Sequence, residues 1–368
     1  MSTLLKDRYS PEFYDEFCDI GKKVITDFND AKFKEILFDE SWASLELKER
    51  VRHTSQTLHE FMPEGFDNAA KVILKIVNEI RESNITDRGL EYFFLPDYIE
   101  VFGLESSDVS FNLMEVVTSL STCEFAIRPF ILAETEKTMK RMLQWSSHPD
   151  LHVRRLSSEG CRPRLPWAMG IPFFKKDPSP TIPILENLKN DESEFVRKSV
   201  ANHLNDISKD HPQTALEIAA KWQGHSRETD WVVKHACRTL LKQGNPDAMK
   251  LFGFGSVDKI EISDLEIETP TVRIGSDLHF HFILKNRSSK DSLIRLEYGI
   301  YYQKANGTLS RKVFSISEKM YKSRSSNEVK RKQPFRLITT RKFHPGLHQL
   351  SIVTNGVEKT IMDFHVVS

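Results

Sequence analysis

At 368 residues the chain is too long for one ordinary core, which predicts two domains or three. Hydrophobic residues at 39% and charged residues at 28% exclude a disordered chain, and no window approaches the ~18 uninterrupted apolar residues of a membrane span. The 52 basic and 52 acidic side chains cancel overall, yet residues 258–368 hold nineteen basic against twelve acidic, a net of +7, leaving −7 for the remainder. Such asymmetry points to a basic surface with a polyanionic partner.

The N-terminal stretch from Met1 to Asp7 has no apolar core of a signal peptide, so the expected location is the cytoplasm. Four cysteines (Cys18, Cys123, Cys161, Cys237) are scattered without a CxxC pair, which excludes a disulfide scaffold and a cysteine-built zinc site.

Residues 1 to about 250 read as helical. The run from Ala69 to Val77 places apolar side chains at three- and four-residue steps. After Glu136 the pattern repeats: a short polar start, a valine followed by basic residues, then a helical run. Val153, Val196 and Val233 mark three such starts, 43 and 37 residues apart. A period near 40 with paired helices predicts HEAT-like repeats that stack into a curved solenoid, because one pair cannot bury its apolar face alone. In the second repeat Val196, Val200, Leu204 and Ile207 form one apolar stripe, with Lys198, Asn202 and Asp206 on the opposite side, a polar face that a solenoid can offer to a concave surface. Prolines 163, 166, 172, 178 and 180, with Pro183 beyond, predict a long non-helical excursion.

Beyond Gly253-Phe254-Gly255-Ser256 the period changes from 3.6 to 2. Residues 279–284, 296–301 and 350–353 read as strands, and Asn306-Gly307 and Asn355-Gly356 as hairpin turns. The predicted fold is therefore mainly α: a HEAT-like repeat α-solenoid over residues 1–256, followed by a C-terminal immunoglobulin-like β-sandwich over 257–368. Within that sandwich residues 311–342 carry eleven basic and two acidic side chains, including Lys330, Arg331, Lys332 and the Arg341-Lys342 pair. Two readings are open for them: phosphate contacts, or protection of an edge strand.

The stretch from Val153 to Trp167 is the densest in chemistry. Arg155 and Glu159 are four apart and share a helix face; Gly160 ends the helix; Arg162, Arg164 and Trp167 follow in the proline-rich loop. Arginines beside an aromatic ring suit phosphates and bases, but equally a loop cluster gripping carboxylates. His148 and His152 lie near Cys161 without metal-site spacing, and neither GxGxxG nor GxxxxGK[ST] occurs, so no metal or cofactor is expected.

The segment Arg154-Arg155-Leu156-Ser157-Ser158-Glu159-Gly160, with Arg162-Pro163-Arg164-Leu165-Pro166-Trp167, resembles the signature of the AlkC-type DNA alkylation repair glycosylases, relatives of the AlkD family. The resemblance extends over the whole chain and includes the subgroup that carries an immunoglobulin-like domain. It implies a catalytic acidic triplet at Glu124, Glu159 and Asp206, and excision of N3-methyladenine and N3-methylcytosine from duplex DNA without a deep flipped-base pocket. A monomer acting on alkylated double-stranded DNA is expected, and no membrane partner.

N3 methylation makes the base cationic, so it departs neutral without a general acid. A carboxylate would stabilise the oxocarbenium-like sugar and another would position water. No lysine nucleophile is needed, which predicts a monofunctional enzyme. DNA contacts are expected from Arg154, Arg155, Arg164, Trp167, Arg197, Lys198, Lys234, His235 and Arg238, and from Lys330, Arg331 and Lys332. The competing readings are a non-catalytic HEAT-repeat module that binds DNA or protein, and a protein-binding adaptor that binds no DNA.

Overall fold

The computed structural model describes residues 4–83, 89–336 and 342–368, so Arg341 of the basic run lies outside the described residues. Among the described residues the chain opens with α1 (Pro11–Val24), α2 (Asp30–Leu37), α3 (Leu47–His59), α4 (Phe66–Glu82), α5 (Phe94–Phe102) and α6 (Ser107–Val117). The start of α1 illustrates the local logic. Ser10 accepts from the Phe13 amide at 3.4 Å, and Pro11 occupies the first helical position, where no amide is needed. Around α1 an aromatic core forms by edge-to-face packing, with Phe13 5.4 Å from Tyr92 and Phe17 5.1 Å from Phe94.

The repeats follow as α7 (Ile127–Ala133), α8 (Thr135–Trp145), α9 (Leu151–Glu159), α10 (Pro172–Lys176), α11 (Ile182–Leu188), α12 (Glu194–Asp210), α13 (Pro212–Trp222) and α14 (Arg227–Ala236). Helices α8 and α9 pack as a pair, as do α11 and α12, and α12 lies between α9 and α14. Val153, Val196 and Val233 are all fully buried, as the period near 40 requires. Polar bonds lock neighbouring repeats. Ser158 and Ser199 share a 2.6 Å hydrogen bond, and His203 Nδ1 lies 2.8 Å from the Ser158 carbonyl.

Two details differ from the sequence expectation. The proline-rich excursion is not wholly irregular: Pro172 starts α10 and Pro183 sits in the first turn of α11, positions where proline costs no hydrogen bond. The polar face of α12 opposite the apolar stripe is not uniformly open to solvent. Lys198 is exposed but Asp206 is 2% exposed, because the second half of this helix is covered all round.

The chain continues through α15 (Arg238–Lys242) and α16 (Pro246–Leu251) to eight strands among the described residues. These are β1 (Ile260–Ile267), β2 (Thr271–Arg273), β3 (Asp277–Asn286), β4 (Ser292–Gln303), β5 (Leu309–Tyr321), β6 (Ser326–Pro334), β7 (Gly346–Thr354) and β8 (Val357–Val367). They form one sheet in the order β1-β3-β6 and another in the order β2-β8-β7-β4-β5, enclosing Phe280, Phe282, Leu296, Ile300, Leu350 and Ile352. Asn355 and Gly356 both take positive φ, 44° and 78°, the geometry that suits a two-residue hairpin between β7 and β8. The basic strands β5 and β6 are each the last strand of their sheet.

The molecule divides into two compact units: Met1–His211 with Trp222–Ala236, and Pro212–Lys221 with Cys237–Ser368. The second thus takes in helical segments upstream of residue 257. The reason is visible within it: Asn355 Nδ2 donates to the Gly255 carbonyl at 2.9 Å, and a Cβ on Gly244 would lie only 2.7 Å from the Gly356 oxygen.

Candidate functional site

Glu124, Glu159 and Asp206 come from three separate elements. Glu124 sits on the turn preceding α7, Glu159 is the last residue of α9, and Asp206 lies in the final turns of α12. The α9 helix is set by Asp150, whose carboxylate accepts from the His152 amide at 2.7 Å. Two arginines join the three carboxylates into one chain. Arg155 Nη1 lies 2.5 Å from Glu124 Oε2, and its Nη2 lies 3.7 Å from Glu159 Oε1. Arg162 Nη1 lies 2.6 Å from the same Glu159 oxygen, while its Nε donates to Asp206 Oδ2 at 2.9 Å. Lys209 closes the far end, 2.9 Å from Asp206 Oδ1.

Glu159 is only 6% exposed and Asp206 2%. Carboxylates this deep are tolerated only beside hydrogen-bonded cationic partners. Burial opposes the charge on Arg162, but Glu159 and Asp206 together outweigh it and raise its pKa. Arg155 is further held by Thr122, whose hydroxyl it meets at 3.1 Å, and by the Phe195 ring, 4.5 Å from the guanidinium carbon. The expected Arg155–Glu159 pair is thus present but long, and each residue has a tighter partner elsewhere.

Arg162 was legible only as one of two loop arginines. Arg128 lies four residues after Glu124, a spacing that would let the two pair on one helix face. In the structure Arg128 reaches backbone instead: the carbonyls of Met169, Gly160 and Arg162, at 2.7, 2.7 and 3.0 Å. His203 is fully buried beneath the cluster, and desolvation lowers its pKa to about 4, so it is neutral at neutral pH. The loop between Arg162 and Ile171 closes on itself through Ile171 N to Pro163 O, 3.3 Å. At its tip Trp167 is 62% exposed with φ of 66°, a strained conformation for a bulky residue, and its carbonyl accepts from Lys48. A cavity of about 540 Å³ opens beside it, lined among others by Lys48, Phe93, Phe125, Arg128, Trp167 and Met169.

The remaining expected DNA contacts fall into distinct environments. Arg154 departs from the expectation. All five of its N–H donors are engaged within the protein, by Asp191, Glu192 and the carbonyls of His148 and Pro149, so it tethers the starts of α9 and α12. Arg197 likewise donates to the carbonyls of Asp191 and Glu192. Arg164 forms an exposed two-point pair with Asp210, and Lys198 pairs with Glu194 at 2.8 Å. On α14 Lys234 is exposed, and His235 stacks on Trp231 with centroids 5.0 Å apart; Arg238 opens α15 half-buried. Lys330, Arg331 and Lys332 are exposed on β6, with Lys330 near Glu328 and Lys332 near Asp277.

Among the described residues no helix is long and apolar enough to cross a membrane, and no group of three His, Cys, Asp or Glu side chains could hold a metal ion. Residues 118–240 match the family described as DNA alkylation repair enzyme, and residues 261–368 match the C-terminal immunoglobulin-like domain of the uncharacterised protein YhaZ. Over 362 residues the chain is 42% identical to the uncharacterized protein YhaZ of Bacillus subtilis (strain 168), spanning 98% of this chain and 99% of that one. It is also similar, at 31% identity, over the full length of both chains and with a TM-score of 0.94, to a solved structure of the Pseudomonas fluorescens alkylpurine DNA glycosylase AlkC, bound to DNA containing an abasic site analog. Solenoid, sandwich and sequence agree: the chain belongs to the DNA alkylation repair enzyme family, in its AlkC-type branch with a C-terminal immunoglobulin-like domain.

Proposed function

We propose that this protein is a monofunctional DNA glycosylase that hydrolyses the N-glycosidic bond of cationic N3-methylated bases, N3-methyladenine and N3-methylcytosine, in duplex DNA. The observation that carries the reading is the continuous chain Glu124–Arg155–Glu159–Arg162–Asp206, which gathers three carboxylates from successive repeats into one cluster. The likeness to an alkylpurine glycosylase over the full chain supports it.

In this mechanism the bond from C1′ to the base nitrogen breaks, and both electrons leave with the base, which departs neutral. The sugar is left as an oxocarbenium ion. A carboxylate of the cluster stabilises that cation, and a second accepts a proton from the water that attacks C1′. No covalent enzyme–sugar bond forms, so strand cleavage does not follow.

The two arginines have different duties. Arg162, with its side chain 8% exposed, stays inside and bridges Glu159 and Asp206. Arg155 is more open, at 15%, and a DNA phosphate competes with Glu124 for its donors. Drawing Arg155 outward leaves the cluster more negative when substrate is bound. Trp167, Arg164, Lys198 and Lys234 and the β6 residues Lys330, Arg331 and Lys332 supply further contacts, chiefly to backbone. The protein acts as a monomer in the cytoplasm.

The deciding experiment incubates purified protein with duplex carrying N3-methylcytosine or N3-methyladenine and separates the released bases by chromatography. Base release without strand nicking is the expected result. DNA binding without release refutes the enzyme and leaves a non-catalytic DNA-binding module; no DNA binding at moderate salt leaves the adaptor.

A further inference from the structure

We propose that Arg128 is the positioning residue of the carboxylate cluster, a clamp that holds both ends of the 160–169 segment and thereby aims Glu159 and Arg162. The inference rests on the glycosylase reading above. Arg128 lies in the first turn of α7, is fully buried, and among the described residues hydrogen-bonds to backbone carbonyls and to no carboxylate. An arginine buried without an acid is costly, and a well-packed apolar side chain would fill the same place at lower cost. What this one does instead is geometric.

Nη1 takes the carbonyls of Gly160 and Arg162, and Nε takes that of Met169, so one planar group ties the exit of α9 to the far side of the proline-rich loop. Gly160 makes this reach available. A Cβ there would sit 2.5 Å from Ile127 Cγ2, so only glycine lets α9 approach α7 this closely beside Arg128. Glu159 precedes the clamped Gly160, and Arg162, whose own carbonyl is clamped, carries Glu159 and Asp206 on its guanidinium. A shift of the 160–162 backbone therefore displaces Glu159 and the cation that joins it to Asp206. Misplacement by about 1 Å is enough to cost on the order of 10²-fold in rate. The role needs the fork of a guanidinium, since an ammonium cannot bond both ends of the loop at once. Burial lowers the Arg128 pKa to about 10, which leaves it charged throughout the neutral range.

The test compares wild type with Arg128→Met, Arg128→Lys and Arg128→Gly, using thermal melting, DNA affinity, single-turnover excision of N3-methylcytosine and amide exchange. Arg128→Met is expected to fold, to bind duplex within threefold of wild type, and to excise ten- to a hundredfold more slowly. Amide exchange should quicken in residues 160–170 alone. Arg128→Lys should remain defective. Because Arg128 lines the 540 Å³ cavity, millimolar guanidinium can enter the space left in Arg128→Gly and should restore part of the rate.

Excision by Arg128→Met within twofold of wild type overturns the proposal. So does full recovery by Arg128→Lys, which would make charge alone sufficient. A uniform loss of melting temperature, affinity and rate without guanidinium rescue also overturns it, as a purely structural role. If wild type excises nothing, the glycosylase reading fails by itself, while the exchange comparison still decides whether the clamp exists.

Discussion

Replacing Glu159 by Gln removes the central charge of the cluster while keeping its size. The consequence for stability follows from its neighbours. Gln still offers an oxygen to Arg162 Nη1, and Arg162 keeps Asp206 at 2.9 Å, so no buried cation is orphaned. The loss should be about 1–2 kcal/mol, not the ~3–5 kcal/mol of a buried pair broken outright. The consequence for catalysis is larger. A unit charge about 4–5 Å from the oxocarbenium, at an effective dielectric near 20, is worth roughly 3–4 kcal/mol. That corresponds to a rate loss on the order of 10²–10³. If the cluster meets DNA as proposed, ground-state affinity should be equal or slightly better, since one negative charge that repels phosphates is gone. The deficit should be greater for N3-methylcytosine than for the more labile N3-methyladenine. The assay is single-turnover excision from duplexes of defined sequence with protein saturating. A folded, DNA-binding Glu159→Gln variant that excises methylcytosine within twofold of wild type refutes the reasoning.

Arg162→Met should destabilise by about 3–5 kcal/mol, because Glu159 and Asp206 lose their shared buried cation; adding Asp206→Asn should recover part of that loss, and a strictly additive double-mutant cycle would contradict the bridge. His203 binds its proton less readily folded than unfolded, so its contribution is complete above about pH 6.5 and is lost as pH falls toward 4, by up to about 3 kcal/mol. Urea unfolding of wild type and His203→Gln at pH 7.5 and 5 should show a smaller pH dependence in the variant, and equal dependence would remove His203 from the account. Neutralising Lys330, Arg331 and Lys332 together should lower DNA affinity and reduce the salt slope by about 0.9 for every phosphate no longer neutralised; an unchanged slope would leave β6 with edge protection alone.

The sequence alone carried the architecture, and for a physical reason: burial leaves a one-dimensional record. A valine recurring near every 40 residues, each at the start of a helical run, points to stacked repeats, and Val153, Val196 and Val233 are all fully buried. Asn355-Gly356 specified a hairpin because positive φ at both residues suits that pair. The three candidate acids were legible through the resemblance of the surrounding motif rather than through spacing. Side-chain partnership was not legible. Helical spacing makes Arg155 and Glu159 neighbours in the sequence of one helix, yet Arg155 grips Glu124, 31 positions away, and Arg162 grips Asp206, 44 positions away. Those choices depend on how one repeat stacks on the next, as does the burial of Asp206 on what had the pattern of a solvated face. Arg154 and Arg128 show the same limit from the other side. Nothing in their spacing distinguishes a side chain free to meet phosphate from one whose donors are engaged by Asp191 or by three backbone carbonyls, because long flexible cations take whichever partners the tertiary packing brings within reach.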